Sequence, residues 1–105
     1  MIKSDLSLRH ANNALRINPL CVPALDLKSA CLAYLGRVPD ALKCIDFAIG
    51  SNPKYEHVYV TRAAIYRSNN RVEKALIDLE AAFSLGLSEL TVVYDWGNVL
   101  LDLYR

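Results

Sequence analysis

The chain has 105 residues, of which 53% are hydrophobic and 22% are charged, and its net charge is +1. This composition argues against a disordered protein, and the length suits a single domain with a modest core. Basic residues are interspersed with acidic ones, so no nucleic acid partner is predicted. Charged residues interrupt every apolar stretch before the roughly 20 residues that a membrane span needs, so no membrane contact is predicted either.

The side chains that most often carry chemistry show no catalytic or metal-binding pattern. Cys21, Cys31 and Cys44 fit neither a disulfide framework nor a zinc-ligand spacing, and we interpret them as small apolar side chains in a reducing compartment. His10 and His57 are isolated, and no nucleophile with its base or phosphate-binding glycine loop is present. We therefore predict no enzymatic activity, no metal and no cofactor. The first ten residues carry charges where a signal peptide would be apolar, which favours a cytoplasmic protein.

Turn-forming residues at regular intervals divide the chain into six predicted helices. The helices are predicted at residues 4–18, 22–35, 39–50, 56–68, 72–85 and 90–105. Gly36, Gly50 and Gly86 stand where the second, third and fifth helices are expected to stop. Asn70 with Glu73 resembles a capping box for the fifth helix.

Small, apolar and turn-forming positions recur with a period of 34 residues, so that Asn18 and Pro19 return as Asn52 and Pro53. Two helices can cross closely only where a side chain is small, and recurring small residues therefore predict the contact points between packed helices. These contact points are Ser7, Ala41 and Ala75, then Ala14, Ala48 and Ala82, and then Ser29, Ala63 and Gly97.

In this register the chain resembles the tetratricopeptide repeat, a helix–turn–helix unit of about 34 residues. Residues 22–55 match through Leu25, Ser29, Leu32, Gly36, Ala41, Ile45, Ala48 and Pro53, and residues 56–89 match through Tyr59, Ala63, Tyr66, Ala75, Leu79 and Ala82. The chain departs from the pattern where Leu87 replaces Pro, Asn70 replaces Gly, and Lys28 and Arg62 replace Leu. The resemblance implies one all-α domain over residues 1–105, a right-handed superhelix of stacked antiparallel hairpins. Residues 3–21 and 90–105 would then be half repeats.

The resemblance also implies that the first helix of each pair lines a concave groove, which binds a peptide or a helix of a partner protein. The groove residues would be Asp26, Ala30, Ala33, Tyr34, His57, Thr61, Ala64, Arg67, Tyr94, Asp95, Asn98 and Asp102. Some family members clamp the terminal carboxylate of chaperones with Lys, Asn and Arg. The matching positions here hold Asp26, Ala30, Thr61, Thr91 and Asp95. Because carboxylates repel a carboxylate, we predict a non-catalytic protein-binding module without this clamp.

Two alternative functions remain open. A chain that starts and ends on half repeats exposes apolar ends, which a second copy would cover by head-to-tail or swapped packing unless the chain is a fragment of a longer solenoid. The predicted self-association residues are Leu90, Val93, Trp96, Leu100, Leu101 and Tyr104, together with Leu8, Ala11 and Leu15. RNA binding of the pentatricopeptide type is the second alternative, and the period and near-neutral charge disfavour it.

Overall fold

A computed structural model of the chain describes residues 2–86, 97, 98 and 101. All regular secondary structure in this part of the chain is α-helical. The complete helices in it are α1 (Ile2–Ile17), α2 (Val22–Tyr34), α3 (Val38–Ser51), α4 (His57–Ser68) and α5 (Val72–Ser84). Residues 97, 98 and 101 are also helical, and the rest of the predicted sixth helix lies outside the described residues.

The chain divides into two compact units, Met1–Pro53 and Lys54–Arg105. In the first unit α2 packs against both α1 and α3, and in the second unit α4 packs against α5. Three residues connect α2 to α3, and three connect α4 to α5. Helices that pack together across so short a connection run antiparallel, so each unit contains one of the predicted helix hairpins.

Gly36 ends α2 in the left-handed conformation that the sequence predicts, with a φ of 84°. Its amide donates to the carbonyl of Ala33 at 3.0 Å, and the amide of Arg37 donates to the carbonyl of Leu32 at 2.8 Å. This pair of bonds is a Schellman motif, which satisfies carbonyls that the end of the helix leaves unpaired. The chain then turns directly into α3.

Asn70 ends α4 in the same way, so its predicted role as a cap for α5 is wrong. It has a φ of 61°, and the amide of Arg71 donates to the carbonyl of Tyr66 at 2.8 Å. Asparagine tolerates the left-handed conformation better than most residues, which lets it replace the expected glycine. The N-cap of α5 is Arg71, and no side chain caps the helix there, so the expected capping box with Glu73 does not form.

Gly50 does not end α3, because this helix continues through it to Ser51. The helix ends instead before Pro53, where Asn52 adopts an extended conformation with a φ of −150°. A residue that precedes proline is pushed out of the helical region by contact with the proline ring. Proline therefore ends α3, and the helix stop predicted at Gly50 is wrong.

Six of the nine small residues that repeat along the sequence are buried where the helices pack together. Ser29, Ala41, Ala48, Ala75 and Ala82 are 0% exposed, and Ala63 is 2% exposed. On α1 the corresponding residues Ser7 and Ala14 are half-buried, while Gly97 is exposed, so its prediction as a contact point is wrong. Ile45 and Leu79, which are 34 positions apart, fill the space beside the alanines at 0% and 1% exposure. Burial of each stabilises its unit by about 2 kcal/mol.

A buried ion pair also joins α4 to α5. Nε and Nη2 of Arg62 donate to the two carboxylate oxygens of Asp78 at 2.9 and 2.7 Å. Asp78 is 2% exposed, and the side chain of Arg62 is 22% exposed. The guanidinium group lies 5.9 and 5.8 Å from the ring centroids of Tyr59 and Tyr66. Arg62 thus occupies a position where leucine is expected, with its charge paired to Asp78 and its guanidinium group beside two tyrosine rings.

We expect Asp78→Asn to lower the free energy of unfolding by about 3 kcal/mol, because it leaves the charge of Arg62 buried without its counterion. Replacing both residues with leucine should restore most of this loss, since no buried charge then remains. Urea unfolding followed by circular dichroism measures both effects.

The matched control is Asp40→Asn. Asp40 pairs with Arg37 at 2.8 Å, but these side chains are 48% and 60% exposed. Loss of a solvated pair should cost less than about 1 kcal/mol. Equal destabilisation by the two asparagine variants would contradict a structural role for the Arg62–Asp78 pair.

Candidate functional site

α2 exposes an apolar face that contains two of the predicted groove residues. Leu27 and Tyr34 are 42% and 69% exposed, and Ala30 between them is also exposed. Residues three and four positions apart lie on one face of a helix, so these three form a continuous strip, which we call the α2 stripe. Sequence reasoning missed Leu27, although the 34-residue register pairs it with Thr61, which was itself predicted to lie in the groove. Ala33 is half-buried.

Asp26 lies beside the α2 stripe and is half-buried. Its backbone carbonyl accepts a hydrogen bond from the hydroxyl of Ser29 at 2.7 Å. Asp26 also takes part in a further interaction, so its side chain is not free. Its predicted role in the groove therefore competes with contacts that it already makes.

The corresponding face of α4 is polar. His57 and Ala64 are exposed, while Thr61 and Arg67 are half-buried. The ring of His57 lies 5.8 Å from that of Tyr55, with the two planes tilted by 53°. At the positions equivalent to the α2 stripe, α4 has Thr61 in place of Leu27 and Ser68 in place of Tyr34, while Ala64 matches Ala30.

The remaining predicted groove residues belong to the last predicted helix. Asn98 is half-buried, and the structure does not describe Tyr94, Asp95 and Asp102. These four residues therefore remain predictions as partner contacts.

The predicted self-association residues are described only in part. Leu101 is 61% exposed, whereas Leu8 and Leu15 are half-buried. Ala11 is 2% exposed, so it belongs to the core of the first unit and not to a surface, contrary to the prediction. Leu90, Val93, Trp96, Leu100 and Tyr104 lie outside the described residues.

The first unit also contains a pocket of about 470 Å³ between α1, α2 and α3. Its charged lining residues are Lys28, Arg37, Asp40 and Lys43, and its apolar ones are Leu8, Leu32 and Phe47, with Asn12 and Cys44 beside them. Lys28 and Leu32 precede Ala30 and Tyr34 by two positions each. Since two residues turn a helix by about 200°, the pocket and the α2 stripe lie on opposite faces of α2. Sequence reasoning noted Lys28 only as a departure from the repeat pattern.

Burial keeps the thiols of Cys31 and Cys44 protonated. Burial raises the pKa of Cys31, and burial is also the largest cause of the raised pKa of Cys44. A protonated thiol is a poor nucleophile. Among the described residues, no group of three or more His, Cys, Asp or Glu side chains is placed to hold a metal ion.

None of the described helices combines the length and the apolar character needed to cross a bilayer.

The sequence matches no family model and no curated protein. The fold is similar to a solved structure of the first TPR of Spaghetti (RPAP3) bound to the HSP90 peptide SRMEEVD, with a TM-score of 0.84 and 16% sequence identity. The match covers 98% of this chain and 82% of that chain. Together with the helix hairpins and their recurring small residues, this likeness shows that the chain has a tetratricopeptide-repeat fold.

Proposed function

We propose that the chain is a non-catalytic cytoplasmic module that binds a peptide or a helix of a partner protein. The α2 stripe carries this proposal, because its two large side chains, Leu27 and Tyr34, are 42% and 69% exposed. Covering apolar surface gains about 25 cal/mol per Å², and an exposed tyrosine is a favourable anchor for a partner. A solved structure with a similar fold holds a peptide, which supports the same use of the fold here.

The face of α4 in the second unit carries polar side chains that we propose as further partner contacts. His57, Thr61 and Arg67 offer an imidazole, a hydroxyl and a guanidinium group, which orient a partner through hydrogen bonds. Asp26, Tyr94, Asp95, Asn98 and Asp102 complete the set of proposed contacts. Cys21, Cys31 and Cys44 are free cysteines, which suits the reducing conditions of the cytoplasm.

We expect Tyr34→Ala to reduce capture of the partner at least about tenfold, because it removes a large anchor from the binding face. Its melting temperature should match that of the wild type, since the side chain is exposed. Quantitative mass spectrometry after affinity capture from cytoplasmic extract measures the loss. A photo-crosslinking residue at position 34 should couple directly to the same protein.

Ile77→Ala is the matched control, because Ile77 is 64% exposed on α5 and lies outside the proposed contact. The same crosslinker at position 77 should not couple to the partner. If Tyr34→Ala captured as much partner as Ile77→Ala, the α2 stripe would not be the binding face.

The proposal excludes a chaperone-type carboxylate clamp. The peptide SRMEEVD contains three acidic residues, and a protein surface that holds such a peptide needs cationic donors. The described positions that match the clamp hold Asp26, Ala30 and Thr61, which provide a carboxylate, a methyl and a hydroxyl group. None of these groups neutralises a carboxylate at pH 7.

We expect the peptide SRMEEVD to leave the backbone amide signals of Ala30, Tyr34 and Thr61 unchanged in a nuclear magnetic resonance titration. The reason is that these positions offer no cation for its carboxylates. Saturable shifts at these amides that disappear when the peptide is amidated at its C-terminus would establish a carboxylate clamp.

Self-association is the second candidate, and apolar side chains at the ends of α1 favour it. Leu6, Ile17 and Leu20 are 49%, 87% and 59% exposed. We propose that the face of α1 with Leu6 and Ile17 meets the segment from Leu90 to Tyr104 of another copy, where Val93, Trp96, Leu100 and Leu101 supply apolar contacts. Leu8 and Leu15 lie on the other side of α1 and are half-buried, so they do not belong to this surface.

Under this alternative, light scattering at micromolar concentrations should show a mass that rises with concentration. Ile17→Lys should abolish the rise, because it places a charge in the apolar contact. Arg9→Lys on the exposed side of α1 is the conservative control. A constant monomer mass would overturn self-association and leave peptide binding as the function.

A further inference from the structure

One pair of equivalent positions, whose side chains face each other across the helix hairpin of each unit, differs in charge between the two units. In the second unit this pair is Arg62 and Asp78, whose side chains form two hydrogen bonds of 2.7 and 2.9 Å. The positions 34 residues earlier hold Lys28 and Cys44. The first unit therefore keeps the cation but has a thiol in place of the carboxylate.

Cys44 does not replace the missing charge. Burial raises the pKa of its thiol, an effect that Lys28 opposes only in part and that Asp26 reinforces. The thiol is neutral at pH 7 and donates a hydrogen bond to the carbonyl of Leu25 at 3.4 Å. Within the part of the chain that the structure describes, Lys28 has no carboxylate bound to it as Arg62 has.

The pocket between α1, α2 and α3 opens at this position. Lys28, Arg37 and Lys43 bring three positive charges to it, and Asp40 is its single carboxylate. Asp40 is bound to Arg37 at 2.8 and 3.1 Å, so it does not serve the two lysines. The residues that line the pocket thus carry two positive charges in excess. The carboxylate of Asp26, which also acts on Cys44, offsets only one of them, so the pocket still favours an anionic ligand.

An apolar wall lies beside these charges. Leu32 is buried at 4% exposure and forms the floor on α2, while Phe47 is 53% exposed at the edge on α3. An exposed aromatic ring next to a cationic pocket suits a polypeptide, which carries a carboxylate and an apolar side chain on neighbouring residues.

We propose that this pocket binds an acidic side chain of a partner polypeptide, whose carboxylate lies beside Lys28 as that of Asp78 lies beside Arg62. An aliphatic residue next to it in the partner packs against Leu32 and Phe47. This site lies on the face of α2 opposite the α2 stripe, so it does not depend on the function proposed above.

A capped peptide, acetyl-Glu-Leu-Glu-amide, tests the proposal, with acetyl-Gln-Leu-Gln-amide as the neutral match. We expect saturable shifts of the amide signals of Lys28, Cys44 and Lys43 with the acidic peptide. The glutamine peptide should bind at least about tenfold more weakly, because it cannot form a charge-assisted bond with Lys28. Equal binding of the two peptides would overturn the proposal.

Cys44→Asp gives the decisive comparison, because it supplies from within the unit the carboxylate that Asp78 supplies in the second unit. This variant should bind the acidic peptide about tenfold more weakly than Cys44→Asn, which has the same shape without the charge. Circular dichroism establishes that both variants are folded. If Cys44→Asp does not fold, Lys28→Gln replaces it and should show the same loss.

Three results would count against the site. Equal affinity of Cys44→Asp and Cys44→Asn for the acidic peptide would show that the absence of a carboxylate at position 44 is not what allows the peptide to bind. Shifts confined to Ala30 and Tyr34 would place the peptide on the α2 stripe. Sodium hexanoate that bound as tightly as the peptide would assign the pocket to small organic acids. Loss of partner capture by Tyr34→Ala concerns the opposite face, so failure of either proposal can be recognised separately.

Discussion

The fold of each unit depends on close contact between helices at side chains no larger than alanine or serine. Ala41 and Ala48 on α3, and Ala75 and Ala82 on α5, are 0% exposed. Helices that meet at such residues approach closely, and the larger apolar residues beside the contacts are then enclosed on all sides. Because this packing fixes which face of α2 and α4 is turned inward, it also fixes which side chains remain outside to meet a partner.

The 34-residue period predicts this packing well, but it predicts helix ends less well. A repeated alanine or serine has one function in a hairpin, so its recurrence identifies the contact. A glycine can end a helix or continue one, and the proline after Asn52 ended α3 while Gly50 stayed helical. Asn70 was predicted to cap the start of α5, but it ends α4. Asparagine is compatible with both positions, since it caps helices and also adopts the left-handed conformation that ends them.

The candidate sites were harder to predict, because the period identifies equivalent positions but not which of them face each other. The resemblance to the tetratricopeptide repeat predicted Tyr34 and Ala30 as groove residues, and both are exposed. The pairing of Arg62 with Asp78 crosses two helices and becomes visible only when α4 packs on α5. Given this pairing, the 34-residue register identifies Lys28 and Cys44 as the equivalent pair, in which a thiol stands in place of the carboxylate. The pocket therefore follows from the sequence repeat together with the packing of the helices.

The chemistry at this exchanged position favours a binding role over a structural one. Leucine would pack against α3 without the cost of partly desolvating an ammonium group, and it is the residue that the repeat pattern expects at Lys28. A carboxylate at position 44 would satisfy the ammonium but would also close the pocket, as Asp78 occupies the equivalent place. Lys28 beside the neutral thiol of Cys44 has neither the apolar packing of a leucine nor the ion pair that a carboxylate would give, so it stabilises the unit by neither route. It leaves a positive charge at the wall of an open pocket, where an external carboxylate gains the most from binding.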